Sequence, residues 1–185
     1  DNGLRWYEKT YFKKVDKKII ADFTPSYLFD ENAPKRIFES LGRNIKFLII
    51  FRHPVDRAYS HYLHSKRDDH ERENFEEALE LEVSRLKKYK DQFDYLSYLR
   101  YSYLQQGLYA EMINRYLQYF SLDNFLFIHF EEEFLQDRDL TIRNILDFLK
   151  VDNSILLNTD IRSNPSSKEK SRVLKKIIKK RGWWR

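Results

Sequence analysis

Five consecutive apolar residues, Phe47-Leu48-Ile49-Ile50-Phe51, stand between Lys46 and the tripeptide Arg52-His53-Pro54. No other stretch restricts the possible folds of this chain as much. A continuous apolar run of strand length suits a strand covered on both faces, and such strands belong to parallel sheets packed between helices. Pro54 fits the first position of a helix, where its missing N–H removes no hydrogen bond, and the pattern carries that helix to about Lys66. Ligands of open α/β sheets bind beyond the carboxyl ends of strands. Arg52 stands at such an end.

The flanking segments extend the α/β reading. Residues 17–22 (Lys-Lys-Ile-Ile-Ala-Asp) predict a short strand, ended by the turn-prone Thr24-Pro25-Ser26. Residues 30–34 open a helix to about Leu41, with Gly42 as its stop. Strand, helix, strand over about 35 residues describes a right-handed crossover. Residues 66–73 read as a mixed-charge loop, and Asn74 with Glu77 as the N-cap of a helix to about Lys90. Tyr-rich residues 95–103 lead into a helix over roughly 104–120; residues 124–130 predict a third strand and residues 137–150 an amphipathic helix, with Ile142, Ile145, Leu146 and Leu149 on one face. A last helix is expected over about 167–181. No repeat or linker divides the chain, so residues 1–185 read as one three-layer α/β domain, a mostly parallel sheet flanked by helices.

Composition bounds the function classes. In 185 residues, 42% hydrophobic and 16% aromatic, there is enough apolar material for a core, which excludes global disorder. No apolar run approaches the ~18 residues of a membrane span. The absence of Cys excludes thiolate nucleophiles and Cys-held zinc or iron–sulfur centres. Lys and Arg outnumber Asp and Glu by 34 to 29, for a net charge of +5, but the basic residues are mixed with acids rather than gathered in one stripe, which argues against nucleic acid as the partner. The chain opens on Asp1 without a signal-peptide pattern and stops at Trp183-Trp184-Arg185, which reads as an internal piece of a longer polypeptide.

The corner after the apolar run carries the chemistry. A guanidinium at a strand end can grip a phosphate in bidentate fashion. His53, Arg57 and Ser60 fall near one face of the following helix, so an arginine and a hydroxyl share one strand–helix corner. The competing reading makes Arg57 the partner of nearby acids and Ser60 a small packing residue.

Residues 46–62 closely resemble the segment with which the sulfotransferase family binds the 3′-phosphate of 3′-phosphoadenosine 5′-phosphosulfate (PAPS): an apolar strand, Arg-x-Pro, then an Arg-Ala-Tyr-Ser-His-Tyr-like helix. Arg52, Pro54, Arg57, Ala58, Tyr59, Ser60, His61 and Tyr62 supply those positions. Gly3-Leu4-Arg5-Trp6-Tyr7 resembles the family's Gly-Leu-x-Trp-Tyr segment, and Asp22-Phe23-Thr24-Pro25-Ser26-Tyr27 its acid–Lys–Ser/Thr-Pro-x-Tyr segment. Residues 107–120, 124–131, 147–149 and 164–172 follow in family order, closest to the bacterial and heparan-type carbohydrate enzymes.

The resemblance implies a P-loop-like sulfotransferase fold, Arg52 and Ser60 on the 3′-phosphate, Lys168 and Arg172 as further contacts to the donor, and Asp22 as general base toward the acceptor. It implies PAPS as sulfuryl donor without a metal, a hydroxyl or amine of a carbohydrate as acceptor, and, given the Lys-, Ile- and Asn-rich usage, a bacterial cytoplasmic enzyme, with the Golgi lumen as the other compartment. Two departures stand out. The family's Lys-x-Gly-Thr-Thr-like phosphosulfate loop, with the first strand it follows, has no counterpart here, and Phe23 replaces the lysine after the acid. Both motivate an alternative: a non-catalytic module of this fold that binds an anionic glycan or a partner protein.

Other residues have plainer readings. Asp22 before a Pro-containing turn can simply cap backbone amides, and His61 and His64 lack a third metal ligand at suitable spacing. Glu131-Glu132-Glu133 fits the family's acidic pair after its strand but equally the acidic first turn of a helix. Tyr95, Tyr98, Tyr101 and Tyr103 read either as an acceptor cleft or as core. The eight basic residues between Lys168 and Arg181 also fit a solvated helix face.

Overall fold

The computed structural model describes residues 3–12, 19–152 and 154. The order is α1 (Gly3–Tyr11), α2 (Ala33–Leu41), β1 (Phe47–Phe51), α3 (Pro54–Arg67), α4 (Phe75–Asp91), α5 (Tyr95–Arg100), α6 (Tyr109–Leu117), β2 (Phe125–His129) and α7 (Arg138–Leu149). The α/β arrangement with a parallel sheet forms as expected. Among the described residues the sheet has two strands, paired in parallel with Phe47 opposite Phe125 and Phe51 opposite His129.

The pleat divides the sheet's side chains between two faces. Phe47, Ile49 and Phe51 share one face with Phe125 and Phe127. Phe47 stacks on Phe125 with ring centroids 4.8 Å apart, and Phe51 on Phe127 at 5.5 Å. Ile37 and Phe38 of α2, with Tyr116 of α6 and Phe120 just beyond it, close over this face into one core. Each large side chain so buried contributes about 1.5–3 kcal/mol. On the other face α7 packs against β2 and Ile128 is buried. Leu48 and Ile50 of β1 remain 42% and 51% exposed there, so the strand is covered on one face and largely bare on the other among the described residues.

A second core joins Ala58 and Tyr62 of α3, Ala78 and Leu79 of α4, and Tyr103. Asn74 and Glu77 form the expected reciprocal capping box at the start of α4, each side chain bonded to the other's backbone N–H. In the loop before it Glu71 is buried, paired with Arg85 at 2.6 Å and accepting from the Tyr103 hydroxyl at 2.9 Å. The mixed-charge loop therefore has one acid turned inward. Gly42 ends α2 at φ +71°, the left-handed region that glycine enters without a Cβ clash.

Three expectations fail. Residues 19–22 of the strand expected over 17–22 form none: among the described residues no neighbouring backbone pairs with them, and an extended segment without a ladder partner has no means of bonding its amides as a sheet does. The crossover expected before β1 is therefore not formed by the described residues; the parallel connection runs from β1 to β2 through α3–α6. The helix expected over 104–120 is broken into a 3-10 turn (Gln105–Gly107) and α6, because Leu108 between them leaves helical geometry (φ −81°, ψ +61°); Glu82 caps the backbone N–H groups of Leu104 and Gln105. The helix expected over 167–181 lies outside the described residues.

Candidate functional site

Arg52 leaves the carboxyl end of β1 as the sequence predicts. Its backbone carbonyl accepts from the Tyr109 hydroxyl at 3.0 Å, which ties the corner to the start of α6. Glu131, just past the end of β2, approaches Arg52 Nε at 3.4 Å and accepts from the His53 backbone N–H at 3.1 Å. The guanidinium also lies 5.8 Å from the Phe130 ring centroid. The ion pair is not aligned as a hydrogen bond; Arg52 Nε is buried against Glu131 while the side chain as a whole stays 36% exposed. An accessible guanidinium at a strand end suits an anion arriving from solvent.

α3 begins at this corner with Pro54 as its first residue and Val55 and Ala58 buried. Ser60 is the seventh residue of α3, half-buried and about 9 Å along the axis from Pro54. Arg57, one turn before it, turns inward. It donates to the Tyr103 carbonyl and, at 3.4 Å, to Gln106 Oε1, and burial lowers its pKa. The competing reading of Arg57 as a structural residue therefore holds in part: its bonds go to a backbone carbonyl and an amide, with Glu82 as the nearest acid in its field.

Glu82 belongs to α4 and is 2% exposed. Its carboxylate accepts from Leu104 N at 2.8 Å and Gln105 N at 2.9 Å. Burial pushes its pKa up to about 7, against the pull of those amides and of Arg57. Glu82 and Arg57 thus grip residues 103–106 from two sides, just ahead of Tyr109. His61 is held neutral: burial first, then the charges of Arg57 and His64, bring it down to about 4.

Asp22 occupies an irregular, exposed segment rather than a strand end. Three hydroxyls donate to its carboxylate: Tyr7 and Tyr27 to Oδ2, and Thr24 to Oδ1 at 2.9 Å. Burial alone would raise this carboxyl, but the three bonds outweigh it and hold it below the usual range. Phe23 beside it is 91% exposed. α6 spans from one region to the other. Tyr109 at its start holds Arg52, while Arg115 and Tyr116 near its end donate to the carbonyls of Phe29 and Tyr27 at 3.1 and 2.7 Å.

Of the residues singled out from the sequence, Arg52 and Ser60 lie on one strand–helix corner, and Asp22 is joined to that corner through α6. Lys168 and Arg172 lie outside the described residues. Tyr103 is core, whereas Tyr95 remains partly exposed. Sequence reasoning missed Tyr109, Glu82 and Tyr7. Tyr7 stood inside the Gly3–Tyr7 segment with no role of its own, and Glu82 left a signal as an acid inside the Ala78-Leu79-x-x-Glu82-x-x-x-Leu86 stripe that faces the core. No group of three or more His, Asp or Glu side chains among the described residues could hold a metal ion, and no helix among them is long and apolar enough to cross a membrane.

Comparison with known proteins gives a consistent answer. The family profile described as "Sulfotransferase domain" matches residues 3–180. Heparan sulfate glucosamine 3-O-sulfotransferase 6 of Mus musculus is 28% identical over 149 residues, covering 80% of this chain and 40% of its own length. Heparan sulfate glucosamine 3-O-sulfotransferase 3B1 of Homo sapiens is 28% identical over 151 residues, covering 80% of this chain and 35% of its own length. The chain thus spans well under half the length of these relatives. The crystal structure of a sulfotransferase from Alicyclobacillus acidocaldarius superposes with a TM-score of 0.66 at 30% identity, over 83% of this chain and 56% of that one.

Proposed function

Taking as premise that the chain belongs to the sulfotransferase domain family, we propose that the protein moves a sulfuryl group from PAPS to a hydroxyl or amine of a carbohydrate. The observation that carries this reading is the Arg52 corner: an accessible guanidinium, braced at its Nε by Glu131, at the mouth of the helix that bears Ser60. That donor set fits the 3′-phosphate of the nucleotide. PAPS brings the sulfuryl group in an activated phosphate–sulfate anhydride. The reading assigns no residue of this chain to the 5′-phosphosulfate.

Arg52 binds and orients the nucleotide through its 3′-phosphate, with Ser60 supplying a hydroxyl donor and Lys168 and Arg172 further positive charge. Glu131 and Tyr109 hold the arginine in place from behind. Asp22 acts as general base, taking the proton of the acceptor hydroxyl as that oxygen meets the sulfur; such a base contributes about 10²–10⁴-fold. Its lowered pKa keeps it ionised at neutral pH. Sulfuryl transfer resembles phosphoryl transfer in relying chiefly on positioning and charge stabilisation.

Calorimetry with 3′-phosphoadenosine 5′-phosphate and with adenosine 5′-phosphate tests the assignment. Arg52→Ala is expected to weaken the first ligand by about 10–100-fold, the size of one charge-assisted pair, and to leave the second unchanged. Equal affinity of wild type and variant for the first ligand removes the reading. Phe23 favours one competitor: a 91% exposed phenyl ring where the resemblance expects a lysine suits a non-catalytic module that holds a glycan or a partner protein. Turnover of PAPS by the full-length protein with a heparan-type oligosaccharide decides against the module, and binding without turnover decides for it.

A further inference from the structure

The Asp22 carboxylate is wrapped more closely than a capping acid needs to be. A carboxylate has about four lone-pair sites, two on each oxygen. Tyr7 and Tyr27 together fill both sites of Oδ2, whereas Thr24 fills one site of Oδ1. One site on Oδ1 is left. The three donors come from different places. Thr24 is two residues away, Tyr27 five, and Tyr7 is brought by α1 from fifteen residues upstream. The Tyr27 backbone is itself anchored, its carbonyl accepting from Tyr116 of α6 at 2.7 Å. Tyr7 is set by rings of its own helix and the residue after it, Tyr11 at 5.2 Å and Phe12 at 5.4 Å between centroids.

We propose that Tyr7 is a positioning residue for the transfer step: with Tyr27 it occupies Oδ2, so that the acceptor's proton is delivered to Oδ1. The proposal rests on Asp22 being the general base. In the step, the acceptor O–H bond breaks and its proton passes to Oδ1. The acceptor oxygen forms the new O–S bond, and the bridging S–O bond of the donor breaks, its electron pair leaving with 3′-phosphoadenosine 5′-phosphate. A phenol on Oδ2 holds the carboxylate plane still and stabilises its charge, which makes the carboxylate a weaker base but keeps it deprotonated to lower pH. The titratable groups that face Asp22 are Tyr7 of α1 and Tyr27 of the turn 24–29. Thr24 is neutral, and no charged side chain among the described residues acts on it. Burial and the bond to Asp22 together raise the Tyr7 phenol far above the usual range, so Tyr7 stays a donor throughout the working pH.

Carbon-detected NMR titration of the Asp22 side-chain carboxyl, its resonance identified by its loss in Asp22→Asn, tests this directly in the full-length protein. Tyr7→Phe removes one donor and is expected to raise the Asp22 pKa by roughly half to one unit, with the acid limb of kcat/KM moving to higher pH by the same amount. Tyr11→Phe keeps the rings of α1 and touches no oxygen of Asp22, so it should leave both unchanged. A purely structural role for Tyr7 lowers activity without moving the acid limb. Identical Asp22 titrations in wild type and Tyr7→Phe overturn the proposal. A shifted titration together with undiminished turnover in Asp22→Asn supports the hydroxyl cradle and removes Asp22 as base, so the two ideas fail separately.

Discussion

Arg52 and Asp22 are held by opposite means. Arg52 is fixed by Tyr109, 57 residues later, and by Glu131, which reaches the adjacent His53 amide across 78 residues. Its orientation therefore follows once β1 pairs with β2 and α6 packs on the sheet. Asp22 takes all three of its side-chain bonds from within fifteen residues, on an exposed segment outside both cores. A group set by long-range packing moves only when the whole domain does, whereas a local cluster at the surface can loosen alone. On the proposed assignment, the Arg52 side is built into the fold and the Asp22 side is built onto it. Donor affinity and turnover should thus respond to different mutations.

The sharpest way to break this contrast is Asp22→Asn. The amide keeps the shape of the side chain and loses its basicity, so kcat is expected to fall by about 10²–10⁴-fold. Affinity for 3′-phosphoadenosine 5′-phosphate should stay within error of wild type. Single-turnover kinetics and calorimetry on the same preparation read the two quantities. A parallel loss of nucleotide affinity shows that the regions are not separable.

The same contrast explains what could be read from the sequence. β1, α3 and the start of α4 were legible because their signals are local: five apolar residues, Pro54 at a helix start, and Asn74 three residues before Glu77. Arg52 was legible as the residue that ends β1, but its supports were not, since a contact across 57 or 78 residues leaves no periodicity behind. Residues 17–22 illustrate the reverse error. Ile19 and Ile20 suit a strand, yet a strand exists only where another backbone lies beside it, and among the described residues none does for residues 19–22. The predicted helix over 104–120 is interrupted where Leu108 leaves helical geometry (φ −81°, ψ +61°) between the 3-10 turn and α6, and the distant carboxylate of Glu82 caps the amides of Leu104 and Gln105, a contact that leaves no periodicity in the sequence.

Glu82 gives the next largest effect, and it falls on the Arg52 side. Glu82→Ala strands two backbone amides and leaves Arg57 without the acid in its field, a loss of about 3 kcal/mol in stability by denaturant unfolding. Glu82→Gln keeps an acceptor oxygen and should lose less. The pH dependence has a definite sign. The folded-state pKa, raised to about 7 from 4.5, means that between those values the folded protein retains a proton that the unfolded chain has released. Stability attributable to this group therefore falls as pH rises from about 4.5 to about 7 and levels off above. The Glu82→Gln variant should lack that component, and a wild-type curve that superposes on the variant's over this window shows that Glu82 does not titrate there.

Tyr109→Phe is the smallest change that probes the coupling between the two regions, because it removes one oxygen from the start of α6 and leaves the ring packed at a tilt against Phe51, 4.8 Å between centroids. The Arg52 carbonyl then loses its partner, at a cost of about 1 kcal/mol. With Phe51 before it still paired through β1 and its guanidinium still beside Glu131, affinity for the 3′-phosphate should fall by less than about 5-fold. Turnover at saturating donor should not change, since α6 keeps its other end on the carbonyls of Phe29 and Tyr27. If kcat drops while nucleotide affinity holds, α6 transmits strain from the donor corner to the acceptor turn, and the two regions answer to one helix rather than to separate constraints.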